Sequence, residues 1–398
     1  MDITIHPNVL RGTIKAISSK SHAHRILICA AFSDRQTVIQ CADINEDIEA
    51  TVECLNALGA YICRTSEGFT VQPLRIIPTQ AHLNCRESGS TLRFMLPICG
   101  ALGVDATISM AGRLPYRPLS PLWEEMERMG CSLSKPTETT LRCTGRLNPG
   151  QYTIAGNISS QFITGLLFAM ALMPGESKLE ITGKLESKPY VSMTQDVLQK
   201  FGVCTDQWKT NCGFPFVSPQ NIHVEGDWSN GAFFLAAQAL GNPVSVTGLL
   251  SNSLQGDRSA AKWLTALNDN CCIDASDIPD LVPILAVVAG AKKGATFTNI
   301  ARLRLKESDR VATTSALLTE LGASTAITSD TLTVIPGRYR GCIVDAAGDH
   351  RIAMSAAIAA SIADGPVTIL GAQCVSKSYP GFWQEYQKLG GKYVQYVW

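Results

Sequence analysis

At 398 residues the chain exceeds the roughly 250–300 that one hydrophobic core organises, so at least two domains are expected. Lys+Arg and Asp+Glu number 34 each, a formal net charge of zero, which argues against a general nucleic-acid-binding surface. Hydrophobic residues at 45% and charged ones at 17% exclude disorder, which needs few apolar residues and a high net charge.

In chain order, residues 1–12 predict an extra strand that completes the C-terminal group of elements. A buried helix from Ser21, a strand at Thr37-Val38-Ile39 and an amphipathic helix ending at Gly59 follow. The succession recurs with a helix from Ser88, a strand at Ala106-Thr107-Ile108 and a stop at Gly130. It recurs again from Ser159, through Leu179-Glu180-Ile181, to Gly202. Past the Pro215-Phe216-Val217-Ser218-Pro219 stretch, which marks the middle, three further rounds begin at Ser229, Asp280 and Asp349. Their strands are Val244-Ser245-Val246, Ala295-Thr296-Phe297 and Val367-Thr368-Ile369, and their stops Asn270, Gly322 and Gly390. The helix beginning each round is apolar nearly all round, which predicts burial, and Ser or Asp at its start suits an N-cap. The stops stand 71, 72, 68, 52 and 68 residues apart. The unit is therefore strand, buried helix, strand, amphipathic helix, strand, strand, six times over. Three units per domain give an α/β protein of two similar domains, one from residues 1–12 plus 226–398 and the other from 13–225.

Other classes fall away. The longest apolar stretches, 94–102, 163–173 and 281–291, are shorter than the roughly 18–20 residues that span a bilayer, so no membrane is expected. Met1-Asp2-Ile3-Thr4 begins no signal-peptide pattern, and a cytoplasmic location is expected. The 14 cysteines are scattered without a Cys-x-x-Cys pair, as for buried thiols in a reducing compartment. No histidine pattern suits a metal, and neither nucleotide-binding glycine motif is present. Neither a metal nor a cofactor is expected.

What stands out is the polar chemistry at helix starts. The buried helices open on Ser18-Ser19-Lys20-Ser21-His22-Ala23-His24-Arg25, Arg86-Glu87-Ser88-Gly89-Ser90-Thr91-Leu92-Arg93, Ser159-Ser160-Gln161, Asp277-Ile278-Pro279-Asp280 and Gly348-Asp349-His350-Arg351. The approaches to the amphipathic helices hold Arg113-Leu114-Pro115-Tyr116-Arg117-Pro118, Ser187-Lys188-Pro189-Tyr190, Lys306-Glu307-Ser308-Asp309-Arg310 and Ser376-Lys377-Ser378. Hydroxyls, backbone N–H groups and cations at helix starts bind anions, and the arginine fork matches phosphate and carboxylate. One such start is an ordinary cap beside a surface ion pair; five equivalent ones point to anionic small molecules.

Taken in order over essentially the whole chain, these motifs resemble the 5-enolpyruvylshikimate-3-phosphate synthase family of enolpyruvyl transferases. The resemblance implies two domains of three βαβαββ units each, described as an inverse α/β barrel, with the active site in the interdomain cleft. The two motif groups lie in different halves of the chain, so closure on substrate binding is expected. It implies transfer of the enolpyruvyl group of phosphoenolpyruvate to the 5-hydroxyl of shikimate 3-phosphate, by addition and elimination through a tetrahedral intermediate. No cofactor is implied, and the protein is expected to be a monomer. The implied shikimate 3-phosphate site is Lys20, Ser21, Arg25, Ser159, Ser160, Gln161, Ser187, Tyr190, Asp280 and Lys306. The implied phosphoenolpyruvate site is Lys20, Gly89, Ser90, Arg93, Arg117, Gln161, Arg310, His350, Arg351 and Lys377. Asp280 is similar to the family's candidate base at the 5-hydroxyl, Glu307 to the acid that protonates the methylene carbon, and Lys20 assists proton movement. Two departures are Glu87, where the family often has Asn, and Arg302, where some members have Asn. A UDP-N-acetylglucosamine enolpyruvyl transferase would carry a Cys in the loop that here reads Gly112 to Arg117. A non-catalytic phosphometabolite-binding protein would not need Lys20, Asp280 and Glu307 together.

Overall fold

The computed structural model describes residues 1–205, 208–210 and 214–396. Two strands, β1 (Asp2–His6) and β2 (Gly12–Lys15), open the chain. The first round is α1 (Lys20–Ala31), β3 (Thr37–Gln40), α2 (Glu46–Ala57), β4 (Tyr61–Thr65) and β5 (Gly68–Gln72). The second is β6 (Gln80–Asn84), α3 (Gly89–Leu102), β7 (Asp105–Ser109), α4 (Leu122–Arg128), β8 (Cys131–Thr137) and β9 (Thr140–Gly145). The third is β10 (Gln151–Ala155), α5 (Ser160–Leu172), β11 (Ser177–Thr182), α6 (Lys188–Lys200) and β12 (Lys209–Thr210), after which comes β13 (Asn221–His223). The fourth holds α7 (Trp228–Ala239), β14 (Val244–Thr247) and α8 (Ala260–Ala266). The fifth runs β15 (Cys271–Asp274), α9 (Val282–Ala291), β16 (Ala295–Thr298), α10 (Arg310–Leu321), β17 (Ser324–Ile327) and β18 (Thr331–Ile335). The sixth is β19 (Cys342–Asp345), α11 (His350–Ala360), β20 (Val367–Leu370), α12 (Phe382–Lys388) and β21 (Lys392–Tyr396).

The chain divides into two compact units, Met1–Ile17 with Glu225–Trp398, and Ser18–Val224. Pairing accounts for the division. Strand β2 runs parallel to β14 and so supplies the first strand of the fourth round, whereas β13 runs parallel to β3 and supplies that of the first. The chain therefore leaves one unit after residue 17, five residues beyond the expected residue 12, because β2 stays with its sheet. Strand β1 pairs antiparallel with both β20 and β21 and completes the sixth round, the role expected of residues 1–12.

Each unit has helices at its centre and sheets outside. In the Ser18–Val224 unit, α1, α3 and α5 are buried along almost their whole length. The strands around them alternate buried and exposed residues, as in β6, β7 and β10, so each sheet turns one face to the helices and one to water. α3 and α5 approach closely at Gly165, where a Cβ would collide with the Arg93 carbonyl oxygen. Pro97 lies in α3 four residues after Arg93 and provides no N–H for that carbonyl, so the two exceptions meet at one contact. The other unit repeats the plan with α7, α9 and α11. A fully buried Leu, Ile or Phe contributes about 1.5–3 kcal/mol, and the two cores contain dozens.

The sheets are open and of two to four strands, each belonging to one round and packed outside the buried helices. One expectation needs correction. The fourth round is incomplete: β14 and β2 form its whole sheet, and the chain passes from α8 directly to β15. That missing strand pair explains the 52-residue interval. No helix among the described residues is long and apolar enough to cross a membrane. Thirteen described cysteines are free thiols, seven of them buried; Cys212 lies outside the described residues.

Candidate functional site

Each unit gathers expected residues at the starts of its buried helices. In the Ser18–Val224 unit, Ser19 caps α1, accepting from the His22 backbone N–H, and thereby presents Lys20 in the first turn. The Lys20 ammonium pairs with Asp47 in the first turn of α2 at 2.9 Å. Ser88 caps α3, after which Gly89 and Ser90 begin the helix. A Cβ on Gly89 would lie 2.6 Å from an Arg117 guanidinium nitrogen and 2.7 Å from one of Arg93, so the bare backbone admits both cations. Arg93 donates to Gln161 Oε1 at 3.2 Å and to the Pro118 carbonyl at 3.1 Å. Gln161, in the first turn of α5 behind its Ser159 cap, donates to Ser90 Oγ at 3.0 Å. Lys20 is joined to Asp47, while Gly89, Ser90, Arg93, Arg117 and Gln161 form one contiguous polar group.

Arg25 sits deeper than a ligand-binding side chain usually does. Its Nε donates to Thr194 Oγ1 at 2.8 Å, Nη1 to the Ser21 carbonyl at 2.6 Å and Nη2 to the Tyr190 carbonyl at 3.0 Å. It therefore binds the backbone at two other expected residues, joining α1 to α6. Burial lowers its pKa to about 10, still charged at neutral pH. Ser187, the residue before α6, has left-handed backbone angles (φ 54°, ψ 36°) and makes no capping bond. Such a conformation costs a non-glycine residue of the order of 1 kcal/mol and marks a position worth a functional reading.

In the other unit the groups form a charge-balanced cluster. Arg310, 1% exposed, donates to Asp280 Oδ1 at 2.7 Å, Glu307 Oε2 at 2.7 Å and Asp349 Oδ2 at 2.8 Å. Arg351 binds Asp280 Oδ2 at 3.0 Å and its carbonyl at 3.1 Å, and Lys306 Nζ is 3.6 Å from Asp280 Oδ1. Burial pushes the Asp280 carboxyl up, but Arg351, Lys306 and Arg310 outweigh it and hold it well below its usual range. Burial lowers Lys306 to about 8 against the opposing pull of Asp280. Burial also pushes Asp349 up, and Arg310 and His350 more than reverse this. His350 and Arg351 form the first turn of α11, and Lys377 ends a short 3-10 helix before α12.

Asp280 does not play the cap expected of it. α9 begins two residues later without a side-chain cap, since both Asp280 oxygens are taken by arginines. The caps of α1 and α7 are Ser19 and Asp227, two residues before the expected Ser21 and Ser229. Of the departures, Glu87 accepts from the Arg113 N–H at 3.0 Å and ties down the loop that leads to Arg117. Arg302 donates to the Ser276 carbonyl at 2.7 Å.

Three carboxylates were outside the expected site. Asp47 could have been found, because Asn45-Glu46-Asp47 is a helix-start pattern. Asp349 stands at an expected helix start, but its grip on Arg310 depends on contact across 39 residues. Asp257, fully buried and accepting from Ser229 Oγ, lies in the incomplete fourth round, where the repeat offers no guide. Burial, with the nearby Asp280 charge, raises its pKa to about 6.

A family model described as EPSP synthase (3-phosphoshikimate 1-carboxyvinyltransferase) matches residues 5–273 and 268–386. A 3-phosphoshikimate 1-carboxyvinyltransferase of Clostridium kluyveri is 39% identical over 98% of this chain and 97% of its own length. One from Clostridium perfringens is 39% identical over 98% of each chain. Among solved structures, an EPSP synthase of Acinetobacter baumannii superposes with a TM-score of 0.81 at 22% identity, covering 99% of this chain and all of that one. The enolpyruvyl transferase NikO of Streptomyces tendae gives 0.74 at 18% identity, covering 99% and 98%. The structural likenesses speak for the fold.

Proposed function

This chain belongs to the EPSP synthase family, the 3-phosphoshikimate 1-carboxyvinyltransferases, and we propose that it transfers the enolpyruvyl group of phosphoenolpyruvate to the 5-hydroxyl of shikimate 3-phosphate. The observation that carries the reading is the cationic group around Gly89. Arg93 and Arg117 converge on a helix start that has no side chain in the way, an arrangement suited to a phosphate and a carboxylate on one small molecule.

In this reading Lys20, Gly89, Ser90, Arg93, Arg117 and Gln161 hold phosphoenolpyruvate, with Arg310, His350, Arg351 and Lys377. Ser21, Ser159, Ser160, Ser187, Tyr190 and Lys306 hold shikimate 3-phosphate, which Lys20, Gln161 and Asp280 also contact. Arg25 serves that site by fixing the Ser21 and Tyr190 backbones, to which it is bonded. Asp280 takes the 5-hydroxyl proton as oxygen attacks C2 of phosphoenolpyruvate, and Glu307 protonates the methylene carbon, giving the tetrahedral intermediate. Loss of a methyl proton and of phosphate then forms the enol ether. Asp280 as found is a weak base, because three cations stabilise its charge. Substrate phosphates and carboxylates compete for Lys306, Arg310 and Arg351, and drawing those cations away raises its basicity when the substrate is present. The reading brings with it a monomer in the cytoplasm, acting on two anionic metabolites rather than on nucleic acid or a membrane.

The test is phosphate release from phosphoenolpyruvate with shikimate 3-phosphate as acceptor, compared with UDP-N-acetylglucosamine. Release with shikimate 3-phosphate alone is expected. Release only with the sugar nucleotide assigns the chain to the sister activity, and binding without release makes it a non-catalytic protein.

A further inference from the structure

Below the Lys20–Asp47 pair runs a buried line of polar groups that none of the roles above uses. His24 lies one turn after Lys20 on α1, and Thr51 one turn after Asp47 on α2. The ion pair therefore has a second rung beneath it, His24 Nδ1 to Thr51 Oγ1 at 2.7 Å. Thr51 Oγ1 in turn meets Thr91 Oγ1 at 2.7 Å, and Thr91 donates to Ser88 Oγ at 2.7 Å. Ser88 is the cap of α3, immediately before Gly89. All four residues are at most 1% exposed.

The direction of the line follows from proton counting. A hydroxyl has one proton to give. Thr91 gives its own to Ser88 Oγ at 2.7 Å, with the Asp47 carbonyl a second, longer acceptor at 3.4 Å; with its proton spent on either, Thr51 gives its own to Thr91 and His24 donates Nδ1–H to Thr51. A neutral ring does this only as the Nδ1–H tautomer. Burial, lowering the His24 pKa to about 3, keeps the ring neutral at physiological pH. Apolar contacts tolerate small slips between helices. A chain of short hydrogen bonds in a dry interior does not, because each slip leaves a buried donor or acceptor unmet.

We propose that His24, Thr51 and Thr91 are positioning residues, whose hydrogen-bond line sets the register of the α1, α2 and α3 starts and so the placement of Lys20 relative to Gly89, Ser90 and Arg93. The proposal rests on the reading that those residues receive phosphoenolpyruvate. It assigns no contact with substrate to the line itself.

The experiment compares Thr51→Val, which keeps the shape and removes the hydroxyl, with Thr51→Ser, which keeps the hydroxyl. Steady-state kinetics are measured for each substrate beside thermal unfolding. Thr51→Val is expected to raise the phosphoenolpyruvate KM about tenfold and the shikimate 3-phosphate KM, which depends on Lys20 and Ser21 but on none of Gly89, Ser90 and Arg93, by clearly less, and Thr51→Ser to restore most of the loss. Unchanged kinetics with a lowered Tm, an equal loss on both substrates, or failure of Thr51→Ser to restore would each overturn the proposal. Should Thr51→Val not fold, His24→Phe breaks the same line one group earlier with an aromatic ring in place, and carries the same expectation. An inactive wild-type protein would instead refute the functional reading, which keeps the two failures apart.

Discussion

Asp280 illustrates how a residue's setting alters what its position suggests. It precedes a buried helix where Asp is a good cap, yet both its oxygens face arginines and its helix starts uncapped. Ser187 likewise precedes a helix without capping it, in a strained conformation. By contrast Ser88, Ser159 and Asp349 do cap. The residue types and their order along the chain were legible because helix starts have a strong sequence signature. Which starts spend their side chains on the helix and which leave them for other partners depends on contacts between helices, invisible in local sequence. Asp280→Asn keeps the shape but removes most of the basicity. Turnover in the phosphate-release assay should fall by roughly 10²–10⁴-fold with the fold retained. Near-wild-type turnover would remove Asp280 from the role of base.

At the scale of elements, the periodic pattern was legible because buried and amphipathic helices differ in how far apolar residues extend around them. All six strands expected to follow the buried helices form. What the pattern could not place was the partner of a strand, since pairing joins distant residues. β2 and β13 each lie just before a buried helix in the chain and belong to the sheet of another round. β1 lies between β20 and β21, with Ile3 and Ile5 fully buried. Deleting residues 2–6 removes both side chains and leaves two strands without their shared neighbour. Burial of the two isoleucines alone accounts for about 3–6 kcal/mol. Amides of β20 and β21 should lose hydrogen-exchange protection, while those of α3 and α5 keep theirs. Uniform loss across both units would show that they do not unfold separately.

For the whole molecule, the two units should respond differently to mild acid. Burial lowers His22 and His24, both in the Ser18–Val224 unit, from 6.5 to about 3. The unfolded chain binds these protons first, so their stabilising effect is present above pH 6.5 and is lost progressively as pH falls toward 3. At pH 5 each histidine costs about 2 kcal/mol relative to pH 7. Asp257, in the other unit, has its pKa raised to about 6, so that group favours folding more as pH falls from 7 to 5. Asp280 and Asp349, held low, matter only below the ordinary carboxylate range. Urea unfolding with segment-resolved hydrogen exchange should therefore show the Ser18–Val224 unit weakening first between pH 7 and 5. The reverse order would contradict the burial of the two histidines.

The sequence by itself determined the class of the fold, the sixfold round of elements, the family and the residue types at the helix starts. All of these are local or periodic features, written within a few turns of chain. The tertiary structure decided which strands share a sheet, where the chain passes between units, and how the balance of 34 basic and 34 acidic residues is spent. Arg310 meets carboxylates at 280, 307 and 349, and Lys20 meets Asp47. The charge of a site depends on distances in space, and those are set only when helices far apart in the chain pack together.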